Sequence, residues 1–228
     1  MKDMAAELVA RLNVDTAFTI PIFGGIQIAE SVVISWVVMA VLVLLSLILT
    51  SGMKVWNPGK RQVLAETAVN WLDGFTKDML GPDATEYSEY ISTVLLFIGL
   101  SNIMGLFGMK PPTKDMNVTI ALAVMSIVLI EAAGIRRKGG KGWLKSFTQP
   151  IAIVTPINIL EIFIRPLSLC MRLFGNVLGS FVIMELIEMI LPVALPLVFS
   201  MYFDIFDGFI QAYVFVFLTG LFIKEATE

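Results

Sequence analysis

Long apolar stretches separated by short charged loops dominate this chain. A membrane-spanning helix needs about 20 predominantly apolar residues. Five stretches qualify: 31–50, which carries no charged residue; 90–109; 118–135, with Glu131 near one end; 159–191, interrupted by Glu161, Arg165 and Arg172; and 195–223, with Asp204 and Asp207. The last two exceed an upright span, so strong tilt is expected. Pro192 and Pro196 mark a turn between them, which makes the pair a hairpin. The pattern predicts an all-α polytopic membrane protein, with 1–228 forming a single integral membrane domain.

Two further segments are patterned differently. Between Pro58 and Asp83, Val63, Leu64, Val69, Leu72 and Phe75 roughly follow helical spacing. That predicts an amphipathic helix lying at the interface. Ala5 to Leu12 is a candidate for a second, shorter one. The N-terminus lacks the apolar core of a signal peptide. Pro111-Pro112 marks a turn, and Gly139, Gly140 and Gly142 predict a flexible loop.

Composition supports this class. The 228 residues are 57% hydrophobic and 15% charged, and the mean hydropathy is +0.84. Soluble domains are about 45–50% apolar and about 25% charged. The net charge of −3 decides nothing by itself, but the placement of the basic residues does. Lys54, Lys60, Arg61 and Lys77 lie within 53–89, and Arg136, Arg137, Lys138, Lys141 and Lys145 lie within 136–150. The loop between has only Lys110 and Lys114. Basic loops face the cytoplasm. Segments 53–89 and 136–150 are therefore read as cytoplasmic, 1–30 as outside, and the C-terminus as cytoplasmic.

The single Cys170 excludes an internal disulfide and a multi-cysteine metal site. Histidine, the usual proton shuttle near neutral pH, is absent. A proton path would run over carboxylates, amides, hydroxyls and water. No nucleotide is expected, because no phosphate-binding glycine pattern occurs; no metal, cofactor or nucleic-acid partner is expected either.

Arg172 is the sharpest feature. A guanidinium cannot shed its charge, and placing one at a helix centre costs about 2.5–3.5 kcal/mol on insertion scales. Glu161, Arg165, Ser168, Arg172 and Asn176 follow one another at steps of three or four, which keeps them on one helix face. A plainer account fits Glu161 and Arg165, as an ion pair snorkelling at the interface. It does not fit Arg172, about 10 Å deeper at 1.5 Å per residue. Gly175 and Gly179 form a small-xxx-small pattern, suited either to packing within the chain or to contact with another subunit.

Asp204, Asp207, Gly208 and Gln211 form a second stripe. Counting from the Pro192–Pro196 turn, Arg172 and Gln211 both fall about 25–30 Å away. Asp204, Asp207, Glu185 and Glu188 lie nearer the turn, and Glu161 lies on the other side of Arg172. Two water-accessible half-paths separated by a fixed positive charge would have this arrangement. For Glu185 and Glu188, ordinary solvation near the turn is the plainer account.

RPLSLCMRLFGN followed by IQAYVFVFLTGLF resembles the a subunit of F-type ATP synthases, and NIMGLFGMKPPTKDMNVTIALAV resembles that family's second and third spans. The resemblance covers most of 90–223. It implies the membrane-embedded stator subunit of the Fo sector, with two offset half-channels and no catalytic chemistry in this chain. Arg172 matches the family's essential arginine, facing the rotating c-subunit ring, and Asn176 and Gln211 match its polar neighbours. Glu161, with Asn158 and Ser168, would belong to the inner half-channel. Asp204, at a position usually His or Glu, would belong to the outer one with Glu185, Glu188 and Asp207.

The family pattern is broken at Phe181, often Glu or His, where Glu185 one turn further is the candidate replacement. Asp207 is an added acid. Implied partners are the c ring, b-type peripheral stalk subunits, the rest of the complex and the bilayer of a bacterial-type plasma membrane. The implied ion is H+, with Na+ left open. Two competing readings are a self-contained secondary transporter with an anion-binding Arg172 and a non-conducting scaffold.

Overall fold

The computed structural model describes residues 16–20, 26–56, 58–81, 84–148, 152–190 and 195–227. Strands β1 (Thr16–Ile20) and β2 (Ile26–Ala29) form an antiparallel hairpin that leads directly into helix α1 (Glu30–Thr50). This short hairpin was not expected from the apolar pattern. Its β-branched residues Thr16, Thr19, Ile20, Ile26 and Ile28 suit extended backbone. The candidate helix at Ala5–Leu12 lies outside the described residues.

Five helical segments are long and apolar enough to cross a membrane. They are α1; α3 (Ser88–Ile103), extended at both ends by 3-10 turns at Thr85–Tyr87 and Met104–Phe107; α4 (Met116–Ser146); α5 (Thr155–Ile190); and the last segment. That last segment comprises α6 (Leu195–Ser200), a π-helical stretch (Met201–Asp207) and α7 (Gly208–Thr227). Each expected apolar stretch falls on one of these segments. The protein is an all-α polytopic membrane protein apart from its small hairpin.

The core lies between α3, α4, α5 and α7. Ile91 and Ile98 of α3 meet Ile130 of α4, Leu169 and Leu173 of α5, and Phe215, Val216 and Ile223 of α7 in one buried cluster. α1 stands to one side. Only Ile34 and Val38 sink into a small cluster with Met104, while Val43, Leu44, Leu47 and Ile48 stay exposed. A helix apolar on all sides with so few protein contacts suits a lipid environment.

A buried polar join fastens α1 to the bundle. Ser31 Oγ donates to Asp115 Oδ2 at 2.5 Å. The other oxygen of Asp115 accepts the Asn117 backbone N–H at 2.9 Å, capping α4. Such a cap typically contributes about 1 kcal/mol.

The amphipathic segment forms α2 (Lys60–Leu80), which ends at Gly81 with φ of 77°. Its Thr76, buried together with Leu80, hydrogen-bonds Ser88 at the start of α3. Val63, Leu64, Val69 and Trp71 remain exposed. The glycine-rich loop differs from expectation. α4 continues through it, bending at Gly139, where φ is 72° and ψ 158°. The bend brings Trp143 Nε1 back to Glu131 Oε2 at 2.8 Å, so this intramembrane acid is held by its own helix.

Candidate functional site

α5 and α7 run antiparallel, and polar contacts on both sides of Arg172 fix their register. Asn176 of α5 donates its Nδ2 to Asp207 Oδ2, at the end of the π stretch. Ser180 Oγ reaches the same oxygen at 3.4 Å. One helical turn along each partner, about 3.6 residues, leads from Asn176 to Arg172 and from Asp207 to Gln211. Arg172 and Gln211 are therefore level. Arg172 is exposed, as are Leu167, Ser168, Met171 and Gly175 along the same outer face of α5. A Cβ added at Gly175 or Gly179 would meet nothing within 4 Å. Among the described residues, the small-residue pattern therefore does not serve packing within this chain.

On the turn side of this level lies a cavity of about 490 Å³. Its walls include Glu185, Asp204 and Asp207, expected at the outer path, and Gln211, expected as a neighbour of Arg172. Arg172 is not on its wall. Glu188 belongs to α5, but its side chain lies outside the described residues.

The π stretch shapes one wall. Its i→i+5 bonding widens the helix and rotates side chains before it relative to those after it. Ser200, Phe203, Asp204, Asp207, Gly208 and Gln211 all end on the cavity. Ser200 Oγ donates to Asp204 Oδ2 at 2.6 Å. Asp204 in turn lies against α3. A Cβ on Gly105 would come 2.5 Å from Asp204 Oδ1, so only glycine leaves the carboxylate its place. Asn102 of α3 donates to the Gly208 carbonyl at 3.0 Å and accepts from Thr113 Oγ1 at 2.7 Å.

The departure at Phe181 has a physical counterpart. Lys114, 6% exposed, places its Nζ 3.3 Å from the centroid of the Phe181 ring. A cation over an aromatic face is attracted by the ring quadrupole. Lys110 and Phe181 both reach the cavity. Its wall thus carries basic and aromatic groups as well as acids.

On the other side of Arg172, Arg165 Nη2 donates to Glu161 Oε2 at 2.8 Å and to Glu225 Oε1 at 2.9 Å. The ion pair expected between Glu161 and Arg165 is present, and α7 adds a third member. Asn158 Nδ2 donates to the Phe147 carbonyl at 2.9 Å. Ser168 is exposed between this group and Arg172.

Ser180, Ser200, Asn102 and Glu225 were not singled out from the sequence. Ser180 continues the α5 stripe four residues beyond Asn176, and Ser200 lies four before Asp204, so spacing held a signal for both. Asn102 and Glu225 owe their roles to contacts between distant helices.

The family model for the ATP synthase A chain matches residues 32–224. This chain belongs to the ATP synthase A chain family. The ATP synthase subunit a of Moorella thermoacetica is 33% identical over 203 residues, covering 89% of this chain and 92% of the relative. The sodium-ion-specific ATP synthase subunit a of Propionigenium modestum is 32% identical over 216 residues, covering 88% of this chain and 74% of the relative. ATP synthase subunit a 2 of a Bradyrhizobium strain is 32% identical over 204 residues, covering 89% and 91%. As an ATP synthase A chain, the protein is a multi-pass, non-catalytic component of the membrane sector, serving ion transport in ATP synthesis.

Proposed function

We propose that this chain is the stator that faces the c ring with Arg172 and supplies two offset proton half-channels. The antiparallel register fixed by Asn176 and Asp207 carries this reading. It sets exposed Arg172 level with Gln211, at the inner end of an acid-lined cavity. The cavity, with Glu185, Asp204 and Asp207, serves as the outer half-channel, and Glu188 follows toward the turn. Glu161, Asn158 and Ser168 belong to the inner one.

Each ring carboxylate must be neutral to face lipid, since burying a charge there is costly. A proton entering over the outer acids neutralises a carboxylate, which then leaves through lipid. On arrival at the inner side it releases the proton. Arg172 favours the ionised carboxylate, because a nearby opposite charge stabilises that form. Its fixed charge also repels protons that would cross directly between the half-channels. The membrane potential contributes about 2.3 kcal/mol per charge per 100 mV.

The N-terminus lies outside and the C-terminus in the cytoplasm, in a bacterial-type plasma membrane, with b-type stalk subunits holding the chain against the ring. A self-contained transporter with Arg172 as its anion site would keep that arginine on a cavity wall; here the cavity ends beside Gln211. Sodium protection of the ring carboxylate from carbodiimide would reassign the ion.

The test is Arg172→Ala and Arg172→Lys in the assembled complex. Both are expected to abolish coupled ATP synthesis in energised vesicles while the complex remains assembled. Lysine keeps a charge but not the planar fork, and it deprotonates far more readily. Normal coupled synthesis in either variant overturns the proposal.

A further inference from the structure

We infer that Glu225, in the last turn of α7, is a positioning residue of the inner half-channel that sets the sign of its charge. The inference rests on the half-channel reading above. Arg165 is seven residues from Arg172, two turns along the same face of α5, at the mouth through which protons would leave. An uncompensated guanidinium there would oppose the exit of cations.

The structure surrounds it. One nitrogen, Nη2, is bonded to both Glu161 and Glu225, and the guanidinium carbon lies 5.0 Å from the Phe222 ring centroid. The Arg165 side chain is 18% exposed, whereas Glu161 and Glu225 are 45% and 58% exposed. The cation is thus turned inward, and the carboxylates are the more exposed partners.

Charge counting gives Glu225 its role. Glu161 and Arg165 alone are a neutral pair. With Glu225 the group carries a net charge of −1, which attracts cations to the mouth. Lys224, the neighbouring residue, lies elsewhere: its Cε would be 3.7 Å from a Cβ placed on Gly81, at the end of α2. Glu225 also ties α7 to α5 on the inner side of Arg172, as Asp207 does on the other. A contact at each end keeps Arg165 from swinging along α5 toward the ring face.

The test uses the complete ATP synthase reconstituted in vesicles. ATP synthesis by Glu225→Gln and Glu225→Asp is compared with wild type as a rate ratio, at about 0.1 M and about 1 M salt on the inner side. At 0.1 M the Debye length is about 10 Å, and at 1 M about 3 Å. The Gln variant is expected to run at about half the wild-type rate at the lower salt and to approach it at the higher. The Asp variant is expected to match wild type at both. A Gln variant equal to wild type at low salt overturns the inference. So does a loss by the same factor at both salts, which would mark a purely structural role. Wild-type synthesis by Arg172→Ala in the same vesicles would instead remove the half-channel reading itself.

Discussion

Asn176 of α5 and Asp207 at the end of the π stretch, 31 residues apart, are joined by a hydrogen bond that helps hold α5 and α7 in register. The donor is an amide and the acceptor a carboxylate, and hydrogen bonds to charged groups contribute about 1.5–3 kcal/mol. Ser180 offers Asp207 only a longer contact, at 3.4 Å. Asn176→Ala should therefore loosen the pairing of α5 with α7. The expected outcome is a complex that assembles, synthesises ATP at about a tenth of the wild-type rate or less, and unfolds at lower temperature. Unchanged synthesis and melting would show that the register has other sufficient supports.

Gly105 is the tightest steric point of the cavity. A methyl group there would stand 2.5 Å from Asp204 Oδ1, so Gly105→Ala must push the carboxylate aside and strain its bond to Ser200. We expect slowed proton uptake from the outer side, with the inner network of Arg165 intact. Proton-driven synthesis at the wild-type rate would contradict the assignment of Asp204 to the outer path.

Glu185 comes from α5 and Asp204 from the π stretch, yet both line one cavity. Replacing the two together by leucine removes two of its carboxylates and adds apolar bulk. Uptake driven from the outer side should fall to background in vesicles energised across the membrane. Wild-type flux in this double variant would move the path away from the cavity.

The sequence alone determined much of this protein. Apolar runs of spanning length exist because the bilayer demands them, and the structure has a long apolar helix over each of the five. Helical periodicity put Arg172 and Asn176 on one face, and counting residues from the Pro192–Pro196 turn made Arg172 level with Gln211. Both inferences need only the rise and pitch of a helix. The resemblance carried by RPLSLCMRLFGN and IQAYVFVFLTGLF agrees with the family that residues 32–224 match.

The tertiary structure decided what local spacing cannot encode. The π stretch at Met201–Asp207 packs against Asn102 of α3 and Gly105 of the 3-10 turn that follows it. The glycine-rich stretch is a helix bent at Gly139, and the bend sets Trp143 against Glu131. Gly175 and Gly179 meet no neighbouring helix among the described residues. Lys114 met Phe181, and Glu225 met Arg165, across 67 and 60 residues. Each of these depends on which side chains distant helices bring within a few ångströms, and a one-dimensional pattern of polar and apolar residues has no term for that distance.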